Sequence, residues 1–220
     1  MSAIKNSGAI AHVRTLPPQT AGKAPLLPPR AKANGTLRKL HEAALVGFAA
    51  RGYNGVSTRD LAVATGVRPS SVYAHVKAKE DLLLELALIG HEEHNERLRK
   101  ALLEAGSDPR AQIAALVREH VMVHAAYPLL TRVCNRELYA LSPANAARVM
   151  AVRDDSTQML ADVIARGSEE GVFHCADVWL AVAAIGAMGI RVAEWFEPGG
   201  PIAAEFVADQ YADFALKMLA

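Results

Sequence analysis

The chain holds little cysteine, no long apolar run and, over its first 36 residues, no acid. Cys134 and Cys175 are its two cysteines, too few and too widely spaced for a disulfide framework, so free thiols in a reducing cytoplasm are expected. The most apolar segment, VWLAVAAIGAMGI over 178–190, spans 13 residues between Asp177 and Arg191. A membrane span needs roughly 20 such residues, so a buried helix is expected there, and no membrane partner. A Gly-X-Ser-X-Gly elbow, a phosphate-cradling Gly loop and a His-Glu-X-X-His pair are all missing, and Cys134 has no identifiable base. An enzyme is therefore not expected, nor a cofactor. Strand alternation and internal repeats are missing too, which excludes sheets and a repeat solenoid and leaves an all-α fold.

What the chain does have is a lopsided charge. Residues 1–80 carry 12 Lys and Arg against 3 Asp and Glu, whereas the remaining 140 carry 12 against 20, and the two halves average out to +1. A segment with a net charge of +9 can contact several backbone phosphates, so one end points to nucleic acid and the other to a different partner. Lys5, Arg14, Lys23, Arg30 and Lys32 stand among Pro17, Pro18, Pro25, Pro28 and Pro29, a composition that reads as a flexible basic tail over residues 1–36. A hydrophobic content of 51% is ample for a core in the rest.

From residue 37 the periodicity becomes helical. Leu37, Leu40, Ala44, Leu45 and Phe48 share one face and Gly52 stops the helix. Ser57-Thr58-Arg59-Asp60 has the spacing of a capping box at the start of a short second helix that Gly66 ends. Pro69 suits the first position of a third helix running to about Val76. Two short helices around a Gly turn make a helix-turn-helix, supported by the first helix, within a DNA-binding domain over 37–80. Breakers then divide residues 81–220 into longer helices: Lys79 to Ala105, one from Asp108-Pro109, one after Pro128, one capped by Ser142-Pro143, one from Asp177 to Phe196, and one after Pro198-Gly199-Gly200-Pro201. About nine helices are expected in all.

The stretches RGYNGVS, STRDLAVATGV, RPSSVYAHV and KAKEDLL resemble the headpiece of Tet-repressor-type transcriptional regulators, closely over residues 37–84. The segments LLTRVCNRELYALSP (129–143) and WFEPGGPIAAEFVADQYADFAL (195–216) are similar to a subgroup of that family associated with lipid and sterol catabolism. The resemblance implies that Thr58 and Arg59 open helix 2 and Arg68, Pro69, Ser70 and Ser71 open helix 3. It also sets Tyr73, His75 and Lys79 against double-stranded DNA. The chemistry of these side chains agrees: hydroxyl, phenol, imidazole and ammonium groups at helix starts donate to phosphate oxygens. Arg68 suits a guanine edge, Ser70 and Ser71 suit other base edges, and Arg59 reads either a base or a phosphate. Two positions depart from the family pattern, which favours a small capping residue at Arg68 and Ser or Asn at Ala78.

In the larger region, Arg132 and Arg136 share a face, as do Arg191 and Trp195, His120 and His124, and His91 and His94. Each pair is a candidate ligand site, Arg132 with Arg136 by their shared face alone. The subgroup resemblance implies that the helix before the Pro198-Gly199-Gly200 turn lines an acyl-CoA or similar effector pocket, which makes Arg191 and Trp195 candidate ligand residues. Arg191 has the alternative of pairing with Glu194 or with a carboxylate across a dimer interface. The His-bearing faces read as solvated, and no metal is expected. Ala181, Ala184, Gly186, Gly189, Ala204, Ala208 and Ala212 allow close helix approach in a homodimer, or packing within one subunit. The functional expectation is a cytoplasmic homodimeric repressor on a palindromic operator, released by a small apolar effector such as an acyl-CoA thioester. The alternative is an all-α binding protein or enzyme with an incidental basic N-terminus.

Overall fold

The computed structural model describes residues 24–31 and 35–220, which among them form nine α-helices, one short 3-10 turn and no strand. The helices are α1 (Gly35–Arg51), α2 (Thr58–Thr65), α3 (Pro69–Tyr73), α4 (Lys79–Glu104), α5 (Pro109–Ala126), α6 (Pro128–Arg136), α7 (Pro143–Glu169), α8 (Val178–Trp195) and α9 (Ala204–Met218). The all-α fold and the expected helix count are both found. Proline stands at the first position of α3, α5, α6 and α7, where its missing N–H costs nothing and its φ is preset.

The caps explain most boundaries. Ser57 Oγ accepts from Asp60 N at 3.1 Å while Asp60 Oδ2 accepts from Ser57 N at 2.8 Å, closing the capping box of α2. Gly66, at φ 70°, ends that helix in a left-handed conformation that other residues adopt at a cost. Asp108 caps α5 and Asp177 caps α8. Ser142 does not cap α7 through its side chain. Its backbone N–H donates to Glu80 Oε1 at 2.8 Å, and Asn145 Nδ2 donates to the same oxygen at 2.7 Å, so the start of α4 ties down the start of α7. α3 is shorter than expected, ending at Tyr73, although backbone bonds from His75 N and Val76 N to Val72 O carry the turn on to Val76.

α1, α2 and α3 pack around Leu40, Leu45, Phe48, Leu61 and Val72, and this core runs without a break into Leu82, Leu83 and Leu86 of α4 and Leu130 and Val133 of α6. Headpiece and body therefore meet across α4 rather than at a linker. Part of the expected tail is also folded: Leu27 and Ala31 are buried in the same core, and Arg30 donates to Glu96 at 2.7 Å and to Glu92 at 3.4 Å. The apolar pair Leu26-Leu27 between prolines explains the difference, since both side chains join the shared core. The tail expectation for residues 1–23 and 32–34 lies outside the described residues.

α8 is the second departure. Only a third of it is buried, and Trp179 and Leu180 are 65% and 67% exposed. Its inner face, with Ala181, Val182, Ile185, Gly189 and Val192, packs on α5, α6 and α7. The small residues expected at a dimer interface divide accordingly. Ala181, Gly189, Ala208 and Ala212 are buried within the chain, while Ala184 faces outward. The exposed apolar side chains of this pair of helices are Leu180 and Trp179 on α8 and Phe206, Phe214 and Met218 on α9.

Candidate functional site

Two sites emerge, one on the headpiece surface and one inside the body. On the headpiece, α3 buries Val72 completely and turns Pro69, Ser70 and Tyr73 to solvent. Arg59, Arg68 and His75 are exposed beside them, and Thr58 and Ser71 are half-buried. Thr58 Oγ1 and Tyr73 Oη lie 3.3 Å apart, so the first residue of α2 and the last of α3 are joined and their free hydroxyl valences face outward together. Tyr73 is thus a surface residue, 56% exposed. Arg68 occupies the N-cap of α3 with no side-chain capping bond, which leaves its guanidinium free to extend.

Lys79 has a different place. Its Nζ donates to Tyr53 O and Val56 O, each at 2.8 Å, and sits 3.8 Å from the Tyr53 ring centroid. Partial burial pushes its pKa down. The ammonium pins the loop between α1 and α2 to the start of α4. From the other side Glu137, just after α6, accepts from Tyr53 N at 2.9 Å. The same headpiece loop is therefore held by one residue of α4 and one residue next to α6.

In the body, α4 to α8 line a cavity of about 460 Å³ that is open to solvent on one side. Leu98, Leu116, Val117, Val182 and Ile185 give it apolar walls, and His91, His94, His120, His124, Asn135, Arg153 and Asp154 are its polar lining. The histidine pairs read as solvated faces of α4 and α5 are thus turned inward. His91 and His124 are buried, and the rings of His94, His120 and His124 lie with centroids 4.6 to 5.8 Å apart. Desolvation pushes all these imidazoles below their ordinary pKa, that of His91 to about 4, so they are neutral at pH 7. Burial pushes the Cys134 thiol, at the cavity wall, up to about 12, which makes it an inert group.

None of the four arginine and tryptophan candidates lines this cavity. Arg136 pairs with Glu194 at 2.6 Å and Arg132 approaches the same carboxylate at 3.8 Å while donating to Ala193 O at 3.3 Å, so both serve to join α6 to α8. Arg191 is exposed on the outer face of α8. Trp195 packs beside Phe196 and, with Tyr211 of α9, against the same small apolar core. Spacing of four residues put these side chains on common faces correctly, but which face meets the cavity depends on how α8 rotates against α5. The Gly186-X-X-Gly189 pair was the available signal. A Cβ on Gly189 would collide with the His120 ring, so α8 turns this edge toward α5 and its arginine away.

Residues 40–86 match the family model described as bacterial regulatory proteins, tetR family, and residues 106–219 match the tetracyclin repressor-like, C-terminal domain. The HTH-type transcriptional repressor KstR2 of Rhodococcus jostii (strain RHA1) is 25% identical over 189 residues, covering 85% of this chain and 92% of that protein. A crystal structure of a bacterial regulatory protein in the tetR family from Rhodococcus RHA1 superposes with a TM-score of 0.79 at 30% identity, covering 86% of this chain and 98% of that one. AibR in complex with isovaleryl coenzyme A and operator DNA shares the fold, with a TM-score of 0.72 at 22% identity over 84% of this chain and 98% of that one. With its helix-turn-helix surface matched at one end and its cavity-bearing helices at the other, the chain belongs to the tetR family of bacterial transcriptional regulators.

Proposed function

We propose that the protein is a homodimeric repressor that grips a palindromic operator and is released when an acyl-CoA-type ligand places its apolar part in the α4–α8 cavity. The observation that carries this reading is the physical continuity between the cavity and the headpiece. α4 lines the cavity with Gly90, His91, His94 and Leu98 and begins at Lys79; α6 lines it with Thr131, Cys134 and Asn135 and is followed by Glu137. Lys79 and Glu137 are the residues that hold the α1–α2 loop. A ligand that separates α4 from α6 thereby shifts the support of the reading helix. A coupling of about 1 to 3 kcal/mol changes operator affinity roughly 5- to 150-fold.

The cavity volume of about 460 Å³ falls within the usual range for small-molecule sites. It holds an acyl chain or a steroid fragment, while the nucleotide of a coenzyme A thioester stays outside. AibR, with this fold, is known in complex with isovaleryl coenzyme A and operator DNA, and KstR2 of Mycobacterium tuberculosis is a ketosteroid regulator with a TM-score of 0.77 at 25% identity.

On DNA, Arg68, Ser70 and Ser71 face base edges from the first turn of α3, following Pro69, while Thr58, Arg59, Tyr73 and His75 face phosphates. Lys79 acts through the loop it holds. One such headpiece presents few reading groups, so two copies about 34 Å apart, or a multiple of that spacing, are required. The exposed Leu180, Phe206, Phe214 and Met218 supply an apolar face for the pairing. Fluorescence anisotropy on genomic fragments selected by the protein, with and without a panel of fatty-acyl and steroid-derived thioesters, tests the whole reading. Sequence-preferring binding that at least one thioester weakens by fivefold or more is expected. Equal affinity for scrambled DNA, or indifference to every thioester, refutes it. Phe206→Ser with Phe214→Ser should give a monomer in sedimentation; an intact dimer moves the interface elsewhere.

A further inference from the structure

The three inward imidazoles form a constellation that effector capture by an apolar cavity does not require. His94 of α4 and His120 and His124 of α5 bring ring nitrogens to within 4.8 Å of one another. Two of them are oriented by carbonyls. His120 Nε2 lies 3.0 Å from Gly186 O, and His124 Nδ1 lies 2.7 Å from His120 O. A carbonyl only accepts, so each of those nitrogens carries the proton, and the opposite nitrogen of each ring, His120 Nδ1 and His124 Nε2, is left with its lone pair. Holding the outer N–H of an imidazole on a carbonyl is the usual way a protein presents the inner nitrogen to a metal.

His94 Nε2 completes the group, 2.8 Å from His120 Nδ1. The rings are neutral at pH 7, the form that coordinates. All three line the cavity, and the glycine at 189, which weakens a helix interior by about 1 kcal/mol relative to alanine, is the residue that lets His120 lie against α8.

We infer that His94, His120 and His124 bind one divalent transition-metal ion of the zinc, cobalt or nickel class, with an open coordination position facing the cavity. Imidazole ligands select this class, and three protein nitrogens with a free fourth site is the arrangement of metal centres that take a water or a substrate oxygen. Nitrogens about 2.0 to 2.1 Å from a tetrahedral ion stand about 3.3 Å apart, so the His94 and His120 rings open by roughly half an ångström and His94 takes its Nδ1–H tautomer. Arg153 and Asp154 on α7, His91 on α4 and the Cys134 thiol on α6 are the charged and titratable groups facing the same space. An ion adds positive charge beside Arg153, so the fourth position favours an anionic oxygen such as a carboxylate.

The test uses the full-length protein without a histidine tag, stripped by a chelator and dialysed. Titration with Co²⁺ should saturate at one ion per chain and give the visible bands of nitrogen-ligated cobalt. His124→Gln and His94→Gln should each weaken binding by at least the roughly 10- to 100-fold that loss of an outer-shell partner alone produces, while the exposed His174→Gln should bind as the parent does. Stoichiometric Zn²⁺ should raise the thermal midpoint of the unaltered protein, a readout that survives even if a variant fails to fold. No saturable binding, no rise in the midpoint, or binding by the His94 and His124 variants as tight as the parent's overturns the inference. These measurements involve neither operator nor thioester, so they stand or fall separately from the proposed function.

Discussion

Replacing Lys79 by Met separates its two conceivable tasks, anchoring a phosphate and holding a loop. Methionine keeps an apolar stem against Tyr53 and deletes the ammonium that donates to Tyr53 O and Val56 O. The Tyr53 carbonyl still accepts from Val56 N at 3.3 Å, so its loss is small. Val56 is buried, and a carbonyl left there without a donor costs about 1 to 3 kcal/mol. Removing the cation from the Tyr53 ring adds about 0.5 to 1 kcal/mol. The variant should therefore be about 1.5 to 4 kcal/mol less stable in urea denaturation followed by circular dichroism. Its operator affinity, measured by anisotropy at several salt concentrations, should show a salt slope within a few tenths of the parent's. Loss of a true phosphate contact would lower the slope by about 0.9. A variant within about 0.5 kcal/mol of the parent whose slope has fallen by about one would refute the loop-holding role.

Arg68→Ala should change which base is preferred at one operator position, at a cost of about 1 to 3 kcal/mol on the best site, read by selection of bound fragments. Uniform weakening at all sites would make Arg68 an anchor instead. Gly189→Ala should destabilise the protein by about 1 to 3 kcal/mol despite alanine's better helix propensity, because the new methyl meets the His120 ring; a gain in thermal midpoint would contradict the close approach. Acid should weaken the fold through His91. Its folded pKa of about 4 lies below the ordinary 6.5, so the unfolded chain takes the proton first and stability falls as the pH drops from 6.5 to 4, by about 3 kcal/mol. His94, His120 and His124 act in the same direction. Denaturation midpoints that match at pH 7.5 and pH 5 would count against burial of these rings.

Local chemistry made most helix boundaries legible. Ser57 with Asp60, Gly66, Asp108 before Pro109, and Asp177 each act on backbone groups within four residues, and such signals do not depend on tertiary packing. The outward face of α3 was legible for the same reason, since Val72 is the one apolar residue in a five-residue helix and fixes which side is buried. The cavity was not. His94 and His120 stand 26 residues apart on different helices, and their convergence depends on how α4 packs against α5, with Gly189 of α8 leaving room for the His120 ring. The loop-holding role of Lys79 is hidden in the sequence because its partners are backbone carbonyls, which every sequence supplies and none advertises. Sequence proximity pairs Glu194 with Arg191, whereas the arginines that reach it come from α6.

Helix α4 sets a mechanical ratio between the two ends of the molecule. Leu98 at the cavity and Lys79 at the α1–α2 loop are 19 residues apart on one helix, about 28 Å at 1.5 Å per residue. A swing of about 4° about the far end carries the near end through about 2 Å, and two mirrored arms in a symmetric pair would alter their separation by up to twice that, more than the 3.4 Å rise between successive bases of one strand. In the proposed homodimer, a ligand that tilts this beam by about 4° would put the two reading elements out of step with the duplex.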